Sequence, residues 1–264
     1  MADVPGKLLG KKEVKHDGRN LMAAHYLASS FPASYDWQRN RAPMPSRTFG
    51  NDTYGDCTLA SQANLVGRFE RSEQKHTILL ADQLVIQNYL QMTGGEDNGW
   101  YELDALKRWR TIGFSPRPDR TYTIDAFTQV NQDNVAEMKA ALWQFKLIKV
   151  CFNLPWAWSK IGCAGYDDPA TVGVWDIGNG PDFEPGSWGG HSMSSDAYDD
   201  EGLWVIHSWY VGSTPARQKV SWAAVQRYAD EAYSVVDSFD AWRKRAAAKF
   251  DLSSLANDLR KVTG

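Results

Sequence analysis

The chain has 264 residues, with 29 Lys and Arg against 32 Asp and Glu and a formal net charge of -3 at pH 7. That balance lacks the basic excess that neutralises a phosphate backbone, so composition excludes nucleic acid as the partner class. At 43% hydrophobic residues, including 12 Trp, 11 Tyr and 10 Phe, the chain can bury an aromatic-rich core as one large α+β domain or as two lobes. Cys57, Cys151 and Cys163 are too few and too widely spaced for a disulfide framework, and none forms a C-x-x-C pair, so a reducing, cytoplasmic setting is expected. The N-terminus lacks the apolar run of a signal peptide, and no apolar stretch approaches the roughly 20 residues that span a bilayer.

In chain order, residues 1–31 are polar and Lys/Gly-rich, an arm that packs on a body rather than a domain. From Cys57 onward Leu59, Ala63, Val66 and Phe69 recur at helical spacing, and Asp56 stands at the N-cap position. Cys57 therefore falls in the first turn of a helix. "LLADQLVIQNYLQM" predicts a second helix ending at Gly94-Gly95, and "YELDALKRWRTIGF" a third, stopped at Gly113. After a fourth helix, "NVAEMKAALWQF", the character changes to strand-like runs: "LIKVCFNL", "VGVWDI", "HSMSSDAY" and "LWVIHSW". "YDDEG" between the last two predicts a tight hairpin turn. "DAWRKRAAAKFDLSSLANDLRKV" predicts a C-terminal amphipathic helix. The organisation expected is an arm (1–31), a main domain (32–240) with a helical lobe over about 50–118 and a β lobe over about 119–240, and a helix over 241–264.

A cysteine at a helix N-terminus meets the positive end of the helix dipole and free backbone N–H groups, which favour thiolate. Such a nucleophile needs a base. Of the five histidines, His16 and His25 lie in the arm and His76 in a Lys-rich turn, whereas His191 and His207 sit on the paired strands around "YDDEG", which brings them near each other. A thiol, an imidazole to take its proton and a further polar group to orient the imidazole make up an activated nucleophile. Zinc held by Cys57, His191 and His207 matches no closed-site spacing, so no metal is expected. The acidic, Gly-rich stretch 165–186 has no EF-hand register and reads as a solvated cleft-rim loop. No cofactor motif is present.

These residues also carry a resemblance to the papain-like cysteine peptidases, over most of residues 32–236. "YDWQRN" resembles the start of the mature domain, "NDTYGDCTLAS" the segment around the catalytic cysteine, and "LLADQLVIQNY" with the following glycines the helix and glycine-rich substrate strand. "GGHSMSSDAYDDEGLWVIHSWY" resembles the segment from catalytic histidine to asparagine, with the same sixteen-residue step from His191 to His207. The resemblance implies a helical N-terminal lobe and an antiparallel β-sheet C-terminal lobe with the cleft between them. It implies Cys57 as nucleophile, His191 as base and then acid, Asn51 in the place of the family's glutamine as a side-chain oxyanion donor, and His207 as the orienting group, with Ser208 and Trp209 beside it. Asn98, Gly99, Trp188, Gly190 and Trp209 are the implied substrate-binding residues.

Departures from the family pattern are His207 for asparagine, Tyr210 for glycine, Thr58 for tryptophan and Tyr54 for a disulfide cysteine; Trp100 narrows the expected cleft. "G-N-D-x-x-G-D-C" and "D-E-A-Y" also resemble a short papain-fold group of phage and bacterial genomes. The function implied is a cysteine peptidase or amidase acting on peptide or on peptidoglycan cross-peptide. The alternative is a papain-fold protein whose chemistry has decayed and which serves as a structural or binding component, for instance of a phage particle, docking through its arm and C-terminal helix. Localisation is then cytoplasmic or virion-associated. The residues before Asp36 are fewer than the family's full inhibitory propeptide, which argues against zymogen control of that kind.

Overall fold

The computed structural model describes residues 4–39, 44, 47–74, 77–161, 173–209, 217–238 and 251–263. His76, Cys163, Tyr210, residues 165–172 of the acidic stretch and residues 240–250 of the expected last helix lie outside the described residues.

The helical lobe contains α1 (Cys57–Gln74), α2 (Asp82–Thr93) and α3 (Glu102–Thr111). Gly94 ends α2 in the left-handed conformation at φ 73°, where a Cβ is costly, and its N–H donates to the Leu90 carbonyl. Glu102 and Asp104 in the first turn of α3, and Arg108 and Arg110 in the last, match the helix dipole. Leu59, Val66, Phe69, Val85, Tyr89, Leu106 and Trp109 form this lobe's core. A small hairpin of β2 (Phe114–Arg117) and β3 (Arg120–Tyr122) follows. Pro116 lies in β2, where a two-stranded pair tolerates the missing proline donor.

The β lobe is one antiparallel sheet. Its strands are β4 (Ala126–Val130), β5 (Ile148–Leu154), β6 (Gly189–Tyr198), β7 (Gly202–Ile206), β8 (Arg217–Ser221) and β9 (Ala229–Val236), in the order β4-β9-β5-β6-β7-β8. The short β1 (Tyr35–Asp36) pairs with β6. α4 (Val135–Phe145) packs on the sheet and is capped by Asn134, whose side chain accepts from the Ala136 and Glu137 amides. Asp199 makes the turn of the β6–β7 hairpin by accepting from the Glu201 and Gly202 amides, both at 2.9 Å. Two sequence expectations shift. Residues 173–177 of "VGVWDI", the part that is described, form no strand, only a single bridge from Trp175 to Val220, and β7 ends at Ile206, leaving His207 beyond it. Tryptophan drives the first change, since Trp175 turns inward to stack on Trp158 with ring centroids 4.8 Å apart.

α1 lies between the lobes and is buried from Cys57 through Glu70. A helix buried on all sides must satisfy its polar residues internally. The Ser61 and Ser192 hydroxyls pair at 2.8 Å, and the Ser194 hydroxyl donates to the Ser61 carbonyl at 2.9 Å. These small side chains let α1 approach β6 closely, which fixes the start of the helix against the His191 end of the strand.

Candidate active site

Cys57 is the first residue of α1. Asp56 precedes it, but its side chain makes no capping bond; the first turn is instead held by the Asp56 carbonyl, which accepts from Leu59 and Ala60. Packing of the Gly50 turn encloses the Asp56 carboxyl, and burial, with Asp97, Asp52 and Asp82 nearby, pushes its pKa well above the ordinary value. The thiol is fully buried, and burial pushes it up to about 12 against the opposing pull of the Ser192 and Gly10 amides; Asp56 and Glu102 raise it further. The Ser192 N–H donates to Cys57 Sγ at 3.5 Å. The helix dipole alone therefore does not make a thiolate in this state.

Burial of the thiol has a specific cause. The N-terminal arm runs along the groove, joined to its walls by main-chain hydrogen bonds and a single parallel bridge from Lys11 to Trp100. The Leu8 amide donates to the Asn51 carbonyl (3.3 Å), the Lys11 amide to the Gly190 carbonyl (3.2 Å) and the Lys12 amide to the Trp100 carbonyl (3.0 Å), while the Trp100 amide donates to the Gly10 carbonyl (2.8 Å). The Gly10 amide lies near enough to Cys57 to oppose the rise of the thiol's pKa. Gly55, Asn98, Gly99, Trp188, Gly189 and Gly190 line the groove around residues 7–12. Glycine is required where main chain meets main chain: Gly99, at φ +73°, has the Gly10 carbonyl against its Cα, and a Cβ there would lie 2.9 Å from the Gly10 carbonyl carbon. A segment this short reaches both walls of the groove, because residues 8–12 bond main chain to main chain with Asn51, Trp100 and Gly190.

His191 sits on β6, fully buried, with its ring stacked on Trp209 (centroids 4.2 Å, planes 23° apart). Neither ring nitrogen has a hydrogen-bond partner, the thiol included. Burial, then the neighbouring His207, lower its pKa well below the ordinary value, so it is neutral. His207 Nδ1 accepts from the Trp209 amide at 3.4 Å. Asn51 is buried with its amide fully engaged: Nδ2 donates to the carbonyls of Leu8 (3.2 Å) and Tyr54 (3.0 Å), and Oδ1 accepts from the Ser208 hydroxyl (2.7 Å). Trp209 Nε1 donates to the same Leu8 carbonyl at 3.1 Å. The Leu8 carbonyl of the chain itself thus rests on two side-chain donors, Asn51 Nδ2 and Trp209 Nε1. Trp188 packs against Trp209 with ring centroids 5.4 Å apart. Among the described residues no group of three or more His, Cys, Asp or Glu side chains could hold a metal ion.

No family model and no curated sequence matches this chain. Solved structures do. Xylellain, a cysteine protease from Xylella fastidiosa, superposes with a TM-score of 0.66 at 16% identity, covering 90% of this chain and 99% of that one. The papain-like fold is the fold of this chain. Procathepsin B from Trypanosoma congolense (TM-score 0.56, 11% identity, 88% of this chain and 87% of that one) and a Carica candamarcensis cysteine protease (0.51, 14%, 79% and 100%) share it. The expected α+β architecture, a helical lobe followed by an antiparallel sheet, is present.

Sequence reasoning missed several residues of this papain-like cleft. Asp97 accepts from the Gly55 amide (2.9 Å) and the Tyr89 hydroxyl (2.7 Å), and Tyr89 in turn accepts from the Gly99 amide (2.8 Å), which ties the groove wall to α2. Lys149, on β5, is fully buried; it pairs with Glu102 at 2.5 Å and donates to the Thr58 carbonyl at 2.9 Å, locking β5 and α3 to the first turn of α1. Buried charges inside an apolar sheet pattern were the available signal. The "IKV" of β5 and the "DEA" of β9 both put ionisable residues where alternation alone offers no partner.

Proposed function

We propose that the protein is a cysteine peptidase or amidase, held closed in this state by its own residues 7–12. The observation that carries the reading is the main chain of residues 8–12 bonded to both cleft walls, with the Leu8 carbonyl on the Asn51 and Trp209 donors. A cleft that takes main chain in that way takes a peptide substrate. In the proposed reaction the Cys57 thiol gives its proton to a His191 ring nitrogen and attacks the amide carbonyl carbon, forming the C–S bond. His191 then returns the proton to the departing amine as the C–N bond breaks, and water, deprotonated by His191, hydrolyses the thioester to carboxylic acid and free thiol. Asn51 and the Cys57 amide serve the developing oxyanion; one such donor is worth roughly 10²–10³ in rate. In this reading His207 orients His191 once the arm has left the cleft, since in the closed state neither His191 nitrogen has a hydrogen-bond partner. Peptide is the substrate class, peptidoglycan cross-peptide included.

A second reading, a non-catalytic binding or structural component with this fold, draws on the lack of a hydrogen bond from either His191 nitrogen. The pH dependence of iodoacetamide alkylation at Cys57 separates the two, measured by peptide mass spectrometry on a Gly10→Ala chain with and without His191→Ala. Labelling that persists to about pH 6 and is lost on His191→Ala supports the activated pair. Labelling only above about pH 8, the same in both chains, is an ordinary thiol and favours the second reading.

A further inference from the structure

Next to the thiol, the arm inserts one side chain into a closed acidic site. Lys11 follows Gly10 in sequence, and its ammonium is fully buried, pairing with the Asp230 carboxylate and, at 3.1 Å, with Glu231. Asp230 and Glu231 stand at the start of β9; the Glu231 carboxylate also accepts from the Tyr233 hydroxyl at 2.9 Å. Behind them Cys151, on β5, donates to Glu102 at 3.6 Å, and Glu102 is paired with Lys149. Burial and Glu102 push Glu231 up to about 7, against the pull of Lys11. Three carboxylates therefore share this pocket with Lys149 and with one cation that belongs to the arm. Lys149 is spent on Glu102 and on the Thr58 carbonyl. When the arm withdraws, Asp230 and Glu231 lose their cation in a site walled by β5, β9 and the glycine edge of β6, and burying unpaired carboxylates is costly.

We infer that the Asp230–Glu231 pocket is a specificity site for a basic side chain, lysine foremost, adjacent to the bond that is cut. Lys11 is its resident stand-in, and a peptide must supply a cation to replace it. The inference rests on the peptidase reading for its use, but the binding it predicts does not.

The test uses the full-length Gly10→Ala chain, in which a Cβ would overlap the Gly55 carbonyl oxygen and displace the arm. The probe is a fluorescent synthetic peptide with the sequence of residues 4–14, VPGKLLGKKEV, and its counterpart carrying Lys11→Met, with affinity read by anisotropy. Truncating one partner of a buried charge pair is costly, so the methionine peptide is expected to bind about 30-fold more weakly or worse. Asp230→Asn with Glu231→Gln in the protein is expected to erase that preference. Equal affinity for the two peptides, binding of neither, or a preference that survives the double substitution overturns the pocket. Lysine-dependent binding without cleavage of the lysine peptide leaves the pocket standing and counts against the peptidase reading alone.

Discussion

Gly10→Ala is expected to open the cleft without touching any proposed catalytic group. An alanine Cβ at position 10 would overlap the Gly55 carbonyl oxygen and sit 2.7 Å from Gly55 Cα. Both obstacles are backbone, held in turn by the Asp97 carboxylate on the Gly55 amide, so no side-chain rotation relieves them. Six hydrogen bonds fasten residues 8–12 to Asn51, Trp100, Gly190 and Trp209, at about 1 kcal/mol net each. Losing even about 3 kcal/mol of that holding raises the fraction of molecules with an exposed thiol about 100-fold. The assay is the rate of iodoacetamide alkylation at Cys57 near pH 8.5, about the pKa of a free thiol, with circular dichroism to verify an unchanged fold. A rate about 100-fold above wild type is the expected outcome. Equal rates in a folded variant would refute the claim that the arm is what buries Cys57.

Gly190→Ala should act in the same way from the opposite wall, because its Cβ would overlap the Lys11 carbonyl oxygen; alkylation of Cys57 is again the readout. Glu231 predicts a pH dependence. Its folded pKa of about 7 lies above the usual 4.5, so the folded state binds the extra proton and the stabilisation is present below about 4.5 and lost as pH rises through about 7. The difference corresponds to about 3 kcal/mol, and urea unfolding at both ends of that window should show the slope in wild type and its reduction in Glu231→Gln. Trp209→Ala removes a fully buried indole that stacks on His191, packs against Trp188 and donates to the Leu8 carbonyl. It should cost about 3–5 kcal/mol of stability and expose His191, whose ring pKa, followed by NMR, should rise.

Local signals made much of the architecture legible. Helical spacing after Cys57 located α1, Gly94 and Gly113 marked two helix ends, and the Asp-rich "YDDEG" turn placed His191 and His207 on neighbouring segments of one hairpin. Asn98, Gly99, Trp188 and Gly190, which the resemblance implied as substrate-binding together with Trp209, stand around residues 7–12 of the arm. What was not legible depends on contacts distant in sequence. "KLLGKK" carries no pattern that marks it as bonded to the cleft, since its partners are main-chain groups of Asn51, Trp100 and Gly190, each at least 40 residues away. Asp56 read as a helix cap because position favours that role; the packing around Gly50 buries it instead. Lys11, Asp230 and Glu231 look like ordinary surface charges until folding brings the arm onto β9. The thiol's raised pKa follows from its burial, which outweighs the pull of the Ser192 and Gly10 amides.

The central claim is that the cleft cuts peptides once the arm leaves it. The most direct measurement is incubation of the Gly10→Ala chain with the residue 4–14 peptide and analysis of products by mass spectrometry, beside the same chain carrying Cys57→Ser. Cleavage at one bond, abolished by Cys57→Ser and sharply reduced by His191→Ala, is the result predicted. A peptide that binds in the opened cleft and remains intact, with Cys57 labelled only as an ordinary thiol, would contradict the account.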